Sequence, residues 1–556
     1  MPKIDMQIED FLSLVGESLA VDEIESRLES VKGELDGFDA DLGVLRVELN
    51  DTNRPDLWCT EGIARQLRGL AGKKDSPYPF YGREDSALEF HVDPDLARRP
   101  YGGAIVARGL TIDDATLRQI IQTQEKLSEN FGHGRASVSI GVYNAQGIEF
   151  PVHYRAVDPT ERSFVPLGHE ESMNLNRILE EHEKGRQYAH LLEGWSRLPI
   201  LEDAQGTVLS FPPIINSRAV GEVEPGHSDL LVETTSTDQM AGLIVLSIFA
   251  ANLADRGASI ESVTSVYSQS TPRGKRVVAP VGPNPPIQVT SAEAEKLLGV
   301  PVSAEEMVGD LERMGCAASL DGQVISVSTP AFRDDYLHAV DAIEDCLIAR
   351  GLDHLPHRMP RSFTAGKASR ESIQADGVRD LLIGFGFEEI ITNILTNPNR
   401  LIEAMNCTEG SIVQIANAYS ETYSAVRNQL LPFLLHTERE SATALYPHRI
   451  FEVGEVAVPD RREDHGSRTE QRVAAMIAHS EATFSEIHAF LDQLIYYLGM
   501  EYTLEVVEHP SFLSGRVGAI RVEEQIIGHV GEVHPQVLSN WDIRQPTAAF
   551  EFTLPE

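Results

Sequence analysis

The sequence predicts a multidomain protein of the α+β class. At 556 residues the chain is too long for a single hydrophobic core. Hydrophobic residues make up 42% of it and charged residues 24%, which is typical of a folded globular protein rather than a disordered one. Stretches with apolar residues at helical spacing alternate irregularly with short strand-like runs, and the sequence contains no internal repeat. Several mixed domains, each with its own core, are therefore expected.

Four domains are predicted, and proline- and glycine-rich segments separate them. The boundary at 268–286 and the one at 356–360 are the clearest, because both are rich in proline. The predicted domains are an N-terminal α/β domain at 1–85, a mixed α/β domain at 93–267, a small helical domain at 276–358 and a last module at 365–556.

Apolar periodicity predicts the elements of the first two domains in order. In the first domain a helix at 21–35 is followed by a strand at 44–49, and Pro55 is well placed for the first turn of a second helix. In the second domain the predicted helices are 114–130, 177–193 and 240–256, and the predicted strands are 138–142, 208–211 and 230–235.

The remaining elements follow from the same patterns. The small domain is predicted to hold helices at 291–298, 304–314 and 335–350, with a strand at 324–328. The last module is predicted to hold helices at 373–384 and 483–498, with strands at 388–393, 450–456 and 548–553.

Charge and cysteine content limit the possible functions. Lys and Arg total 47 against 85 Asp and Glu, so the net charge is −38, and such a surface repels a polyanion on average. Any contact with nucleic acid must therefore be local or come from a partner. The four cysteines are far apart in sequence, which indicates neither a zinc site nor a disulfide framework. With no signal-peptide pattern and no apolar run of membrane-spanning length, a cytoplasmic protein with no membrane partner is expected.

An acidic group near the end of the small domain is a candidate metal site. On a helix, Asp341, Glu344 and Asp345 share one face, and we expect Val340 and Ile343, with Leu347, to form the buried face. Clustered carboxylate oxygens suit Mg²⁺, which takes few protein ligands and keeps its waters. The alternative is an exposed acidic face whose first residues favour the helix dipole.

A second candidate lies on a strand of the mixed domain. Glu233 and Thr235 are two residues apart and therefore point to the same side of a strand that is otherwise apolar. Together with the preceding segment 209–216, they could line a pocket with a polar end. The alternative is a half-exposed strand of mixed character. The motifs of P-loop nucleotide-binding proteins, zinc proteases and serine hydrolases are absent from the sequence.

The segment 47–69, VELNDTNRPDLWCTEGIARQLRG, adds a family resemblance. By itself, Asn53-Arg54-Pro55-Asp56 could be a simple strand–turn–helix connection. The longer segment resembles the signature of the phenylalanine–tRNA ligase β-subunit family, in its short archaeal and eukaryotic form. The resemblance covers the chain from the first helix to its end. It implies that the mixed domain is an editing domain and that the small domain is winged-helix-like and carries a Mg²⁺ site.

The resemblance also implies specific site residues. The editing positions fall on Leu201, Ser210, Glu233 and Thr235, and Glu233 stands where some archaeal members have aspartate. The acidic quartet that binds Mg²⁺ in the family falls on Asp335, Asp341, Glu344 and Asp345.

The last module resembles the antiparallel catalytic fold of class II aminoacyl-tRNA synthetases. Segments 425–435 and 449–456 match the module of the β-subunit family. An active class II site needs an arginine that opens a helix after a glycine-rich strand, where it neutralises ATP phosphates. At the corresponding place, 528–535 reads GHVGEVHP and contains no arginine. The module is therefore predicted to lack catalytic residues and to bind a partner subunit.

The resemblance implies an (αβ)₂ heterotetramer with a phenylalanine–tRNA ligase α subunit. That complex would charge tRNA(Phe) with L-phenylalanine, convert ATP to AMP and diphosphate mainly on the α subunit, and hydrolyse mischarged Tyr-tRNA(Phe) on this chain. Two alternatives stay open. One is a free-standing hydrolase of mischarged tRNA, and the other is an assembly subunit that does not edit.

Overall fold

The computed structural model describes residues 2–50, 52–73, 78–360, 362–408 and 410–555, so Asp51 of the signature lies outside the described residues. The chain divides into two compact units, Met1–Arg358 and Met359–Glu556. The finer division into four domains stays a prediction. In the described part of the chain, no helix combines the length and apolar character needed to cross a membrane.

The first unit begins with a three-stranded antiparallel sheet that is covered by helices. Lys3 pairs with Glu48 and Ile4 pairs with Val47. The side chains of Ile4 and Val47 lie in the core. The predicted helix 21–35 ends early, because Lys32 adopts a left-handed φ of 55° and the chain then enters a strand. The strands are Lys3–Gln7, Glu34–Asp39 and Val44–Glu48, and the helices are Ile8–Val15, Val21–Leu28 and Thr60–Leu70.

A ten-stranded mixed sheet forms the centre of the first unit. Its largest helix, Gln239–Asp255, is buried on nearly every side, which explains its almost uniformly apolar sequence. The other helices are Asp114–Lys126, Leu175–Glu181, Glu183–Tyr188 and the short Arg218–Gly221. The tenth strand, Gly274–Ala279, pairs only with Ser259–Thr271 in the part of the sheet that the structure describes. The other nine strands, in spatial order, are Ile215–Asn216, Val208–Phe211, Leu198–Glu202, Val152–Val157, Leu88–Val92, Ser259–Thr271, Tyr101–Arg108, Leu230–Ser236 and Val138–Asn144.

This large sheet curls until its two end strands face one another. Asn216, on the first strand of the spatial order, donates a hydrogen bond from Nδ2 to the carbonyl oxygen of Val142 on the last strand, over 3.3 Å. The curl brings together segments that are six or more strands apart in the sheet.

One helix prediction in this region is wrong. The stretch 177–193 is not a single helix, because His182 is extended, with φ −74° and ψ 139°, and its imidazole accepts from the backbone N–H of Lys184. Two short helices therefore replace the predicted one.

The small module at the end of the first unit has a three-stranded antiparallel sheet packed on helices. Its third helix begins at Ala339 rather than 335, so Asp335 lies in the preceding loop. The predicted buried face of that helix is confirmed at Ile343 and wrong at Val340. Val340 is 48% exposed, whereas Asp345 is buried together with Ile343. The strands are Ile287–Thr290, Ala317–Asp321 and Val324–Ser328, and the helices are Ser291–Leu298, Ala304–Arg313 and Ala339–Arg350.

The second unit contains a seven-stranded sheet with a hydrophobic core on each face. Neighbouring strands are antiparallel, except that Glu388–Glu389 runs parallel to His448–Pro459. The spatial order is Glu388–Glu389, His448–Pro459, Ser467–Ala478, Thr547–Thr553, Gln525–Val533, Phe512–Val522 and Thr503–Val506. The main helices are Arg370–Gly384, Leu431–Glu440, Phe484–Tyr497 and Pro535–Asn540.

Candidate functional site

A buried tyrosine joins two of the predicted editing residues. The hydroxyl of Tyr143 lies 2.8 Å from the Ser210 hydroxyl and 2.9 Å from Oε1 of Glu233. Ser210 and Glu233 are each 2% exposed, and Tyr143 is fully buried. The curled sheet therefore brings Ser210 and Glu233 to one place, although their strands are not neighbours.

The second carboxylate oxygen of Glu233 has no partner. Oε2 is buried and makes no hydrogen bond to the described residues. Burial raises the pKa of Glu233 to about 7, against the smaller opposing effects of the Tyr143 hydrogen bond and the charge of Arg99. A buried acceptor without a donor is costly, and such groups are concentrated at functional sites.

Glu233 and Ser210 both line a cavity of about 310 Å³. This volume lies at the lower end of the range for small-ligand pockets. Most of the wall is apolar and includes Ile120 and Ile140 on one side and the segment 211–215 on another. Ser139 also lines the cavity. Ser210 and Glu233 thus bring polar side chains to a largely apolar cavity.

The other two predicted editing residues support this wall from outside. Leu201 is fully buried and is the register partner of Ser210 on the neighbouring strand. Thr235 lies with its hydroxyl 2.8 Å from the hydroxyl of Ser139 and accepts from Nε of Arg99 over 2.9 Å. All four residues are thus in one region, with Ser210 and Glu233 at the cavity surface.

Two cations also line the cavity and reach solvent. Arg135 and Lys184 are both half-buried, and Glu222 is an exposed lining residue of opposite charge. Arg135 has φ +67°, follows two residues that also have positive φ, and donates to the carbonyl oxygens of Pro213 and Ile214. A left-handed backbone held in this way is typical of a functional segment. These side chains give the otherwise acidic chain local positive charge at the cavity.

The acidic quartet does not converge around a common point. The fully buried guanidinium of Arg333 donates to Asp335 over 2.5 and 2.9 Å, and to Asp345 over 2.7 and 3.2 Å. Asp341 accepts from the backbone N–H groups of residues 337 and 338, at the start of its helix. Glu344 pairs with Lys32 over 2.6 Å.

Each carboxylate of the quartet therefore has a donor within the chain, and Asp335 and Asp345 share the guanidinium of Arg333. In the described ranges, no group of three or more His, Cys, Asp or Glu side chains is placed to hold a metal ion. The arrangement does not fit a cation bound by this chain alone. The Mg²⁺ assignment stays a prediction.

The signature segment forms a buried ionic network rather than a pocket. Arg54 donates to Asp56 over 2.7 Å, Arg256 to Glu61 over 2.5 Å, and Arg65 to the carboxylate of Asp255 over 2.9 Å. Arg256 also pairs with Asp10, and Arg65 donates to Asn252. The segment thus connects the first sheet to the long helix Gln239–Asp255 and the turn that follows it.

Comparison with known proteins identifies the family. A β subunit of phenylalanine–tRNA ligase from Pyrococcus abyssi is 39% identical over 557 residues, which cover 100% of this chain and 99% of the relative. One from Treponema pallidum is 38% identical over 598 residues, which cover 99% of each chain. This chain belongs to the phenylalanine–tRNA ligase β-subunit family.

Domain models and a solved structure agree with this assignment. Residues 355–554 match the phenylalanyl tRNA synthetase beta chain CLM domain, and residues 287–352 match the tRNA synthetase B5 domain. The crystal structure of an N-terminal fragment of the phenylalanyl-tRNA synthetase β subunit from Pyrococcus horikoshii is 36% identical, with a TM-score of 0.59. It covers 63% of this chain and 99% of the fragment. The prediction of a mixed α and β multidomain member of this family is confirmed.

In this β-subunit family member, sequence reasoning missed Tyr143 and Gly141. Gly141 is the register partner of Glu233, and a Cβ at position 141 would lie 2.1 Å from the Tyr143 hydroxyl and 2.6 Å from Glu233 Oε1. A glycine inside a strand often marks a close approach by another group, so Gly141 was a weak sign in the sequence that a side chain packs against this strand. Arg99 and Arg135 were also missed, and no spacing pattern marks them.

Proposed function

We propose that this chain is the β subunit of a cytoplasmic phenylalanine–tRNA ligase and that its cavity edits mischarged tRNA. In this proposal it assembles with an α subunit as an (αβ)₂ heterotetramer. The complex attaches L-phenylalanine to tRNA(Phe), converts ATP to AMP and diphosphate, and hydrolyses Tyr-tRNA(Phe). The observation that carries the editing role is the buried, unpartnered Oε2 of Glu233, a residue that lines a cavity of about 310 Å³.

Oε2 of Glu233 can distinguish the two amino acids. A synthetic site shaped for phenylalanine rejects tyrosine weakly, since apolar pockets discriminate against one added hydroxyl by only about 10²-fold. The editing cavity is proposed to prefer tyrosine over phenylalanine, because the tyrosine hydroxyl donates to Oε2 of Glu233. Phenylalanine would leave that buried oxygen unpaired, at a cost of about 1–3 kcal/mol.

Hydrolysis in this cavity is proposed to use water as the nucleophile. Among the described residues that line it there is no histidine or cysteine, so no Ser–His or Cys–His pair is formed. Water adds to the tyrosyl carbonyl carbon, and the bond from that carbon to the ribose oxygen breaks. The proton of the water passes to the ribose oxygen. The products are free tyrosine and uncharged tRNA. In this proposal the Ser210 hydroxyl oxygen accepts from the α-ammonium group of the tyrosyl ester, and Arg135 and Lys184 meet nearby phosphates.

The decisive experiment compares Glu233→Ala with the parent in the complex with an α subunit. Synthesis of Phe-tRNA(Phe) should stay near normal, while hydrolysis of preformed Tyr-tRNA(Phe) should slow by roughly tenfold or more. Glu89→Ala is a matched control, because Glu89 is a partly exposed carboxylate on the same sheet that pairs with Arg276. Unchanged clearance of Tyr-tRNA(Phe) by Glu233→Ala would favour the subunit that does not edit. Full clearance by the isolated chain would favour the free-standing hydrolase.

The second unit is proposed to be catalytically silent. The helix that follows strand Gln525–Val533 is Pro535–Asn540, and it contains no basic residue. The nearby Glu532 accepts from the backbone N–H of Phe484 and pairs with Arg516 over 3.5 Å. Pyrophosphate exchange should therefore require the α subunit. Exchange catalysed by this chain alone would contradict this assignment.

For magnesium, we propose a site that the partner subunit completes. Asp341 and Glu344 are the quartet members with the most solvent access, whereas Asp335 and Asp345 are held by Arg333. The combined variant Asp341→Asn and Glu344→Gln should weaken Mg²⁺-dependent assembly with the α subunit, as measured by sizing across a Mg²⁺ titration.

A matched pair of surface changes controls this magnesium test. Glu305→Gln with Asp353→Asn removes two exposed carboxylates from the same small module. If both combined variants assemble with the α subunit at the same Mg²⁺ concentration, the quartet is an acidic face and not a Mg²⁺ site.

A further inference from the structure

Tyr143 stands in the middle of a three-member hydrogen-bond chain. Its hydroxyl is 2.9 Å from Glu233 Oε1 and 2.8 Å from the Ser210 hydroxyl. A tyrosine hydroxyl carries a single hydrogen, and an ionised carboxylate only accepts. When Glu233 is ionised, Tyr143 therefore donates to Glu233, and the Ser210 hydroxyl donates to Tyr143. Oε1 of Glu233 is thereby occupied, while Oε2 has no partner.

The neighbouring backbone makes room for this arrangement. Tyr143 and Gly141 lie two residues apart on strand Val138–Asn144 and so face the same side. The Tyr143 ring folds back over Gly141, where any side chain would meet the hydroxyl at 2.1 Å. The ring is also fully buried. Tyr143 is therefore held in one orientation by packing.

We propose that Tyr143 is a positioning residue that sets the tyrosine preference of the editing cavity. By occupying Oε1 it fixes the Glu233 carboxylate, so that Oε2 is the one acceptor presented to a substrate hydroxyl. The substrate class is an aminoacyl ester whose side chain ends in a hydroxyl donor. This inference rests on the proposed editing function of the same cavity.

The charges around Glu233 decide how Tyr143 acts on it. Burial raises the pKa of Glu233, and the hydrogen bond from Tyr143 and the charge of Arg99 both lower it. Arg99 bonds to Thr235 on the same strand as Glu233. Arg135 and Lys184 line the same cavity, as does Glu222. Removal of the Tyr143 hydroxyl alone should raise the pKa of Glu233 further.

The test uses Tyr143→Phe in the full-length chain assembled with an α subunit. Rates are measured with preformed Tyr-tRNA(Phe) and Phe-tRNA(Phe) across a pH series. The ratio of tyrosyl to phenylalanyl hydrolysis should fall roughly tenfold, the size expected for a lost hydrogen bond to a charged group. The pH at which Tyr-tRNA(Phe) clearance is half-maximal should move upward, because the ionised carboxylate is the better acceptor.

Two further variants separate positioning from general damage. Tyr267→Phe removes another buried hydroxyl from the same sheet, one that bonds the backbone of Gly102, and should leave the ratio and pH profile unchanged. Replacement of Tyr143 by 3-fluorotyrosine keeps the ring and makes the hydroxyl a stronger donor. That change should move the pH profile downward, and it serves as the test if Tyr143→Phe does not fold.

The outcomes distinguish this inference from the proposed function. If Glu233→Ala loses clearance but both Tyr143 variants keep the parental ratio and pH profile, Tyr143 has no positioning role and the editing proposal stands. If the parent complex does not hydrolyse Tyr-tRNA(Phe), the editing proposal and this inference are both overturned.

Discussion

The signature network and the cavity cluster, both in the first unit, differ in how their charges are compensated. In the signature network, Glu61 lies 2.5 Å from Arg256, and Asp255 lies 2.9 Å from Arg65. At the cavity, the hydrogen bond to Glu233 comes from the neutral Tyr143, and its second oxygen is unpaired.

We interpret the first cluster as structural and the second as the proposed functional site. Unpaired atoms occur in both clusters, since Glu61 Oε2 and Arg65 Nη1 also have no hydrogen-bond partner. The distinguishing features are a carboxylate without a bonded cation and an adjacent cavity that can admit a donor. Removing one partner of a buried ion pair destabilises the fold, because the other charge is left uncompensated. A buried carboxylate that already lacks a bonded cation, next to a cavity, is a candidate for ligand binding.

The largest effect is expected from breaking the signature network. Arg256→Met should lower the free energy of unfolding by about 3–5 kcal/mol, because it leaves the buried Glu61 and the partly buried Asp10 without their cation. Urea unfolding at neutral pH measures the loss.

The matched control for this change is Arg276→Met. Arg276 is an exposed arginine that pairs with Asp85 and Glu89, and its loss should cost much less than the loss of Arg256, because solvent screens exposed ion pairs. Similar costs for Arg256→Met and Arg276→Met would remove the structural role given to the signature network.

For the cavity cluster we expect that removing a charge stabilises the fold, and that this effect depends on pH. The folded pKa of Glu233 is raised from 4.5 to about 7, so the folded chain keeps a proton that the unfolded chain releases in this range. Stability should therefore fall as pH rises from about 4.5 to 7, by about 3 kcal/mol in total. Glu233→Gln removes the charge, and the variant should be more stable than the parent at pH 7.5 and not at pH 4. Equal pH slopes for the two proteins would mean that Glu233 is not a strained carboxylate.

The smallest effect on stability is expected from Gly141→Ala. The added Cβ would overlap the Tyr143 hydroxyl and displace it, which should cost about 1–3 kcal/mol and reduce the selectivity for Tyr-tRNA(Phe). Unfolding and hydrolysis are measured on the same preparation.

Gly309→Ala is the control for this change, because an added Cβ at position 309, inside helix Ala304–Arg313, meets nothing within 4 Å. It should be neutral or stabilising by up to about 1 kcal/mol. Full selectivity in Gly141→Ala would show that the close approach at Gly141 has no function.

Local pattern predicted several elements well. Strands at 208–211 and 324–328 and the helix at 291–298 have the predicted bounds, because turn formers or caps end each pattern sharply. The helix at 339–350 shows the limit of this reasoning. Its apolar periodicity placed Val340 inside and Asp345 outside, but buried Arg333 binds Asp345 and reverses the two. A charged residue is buried when a distant residue neutralises it, and helical spacing does not contain that information.

The sequence by itself determined the family, the mixed α and β class and the region of the cavity. It did so because a long signature and the alternating apolar runs are local properties of the chain. The tertiary structure alone decided that Tyr143 joins Ser210 to Glu233, since that contact requires the ends of a ten-stranded sheet to meet. The same holds for the pairing of Arg333 with Asp345 and of Arg256 with Glu61. Burial and charge compensation depend on residues far apart in the chain, so they become defined only when the fold closes.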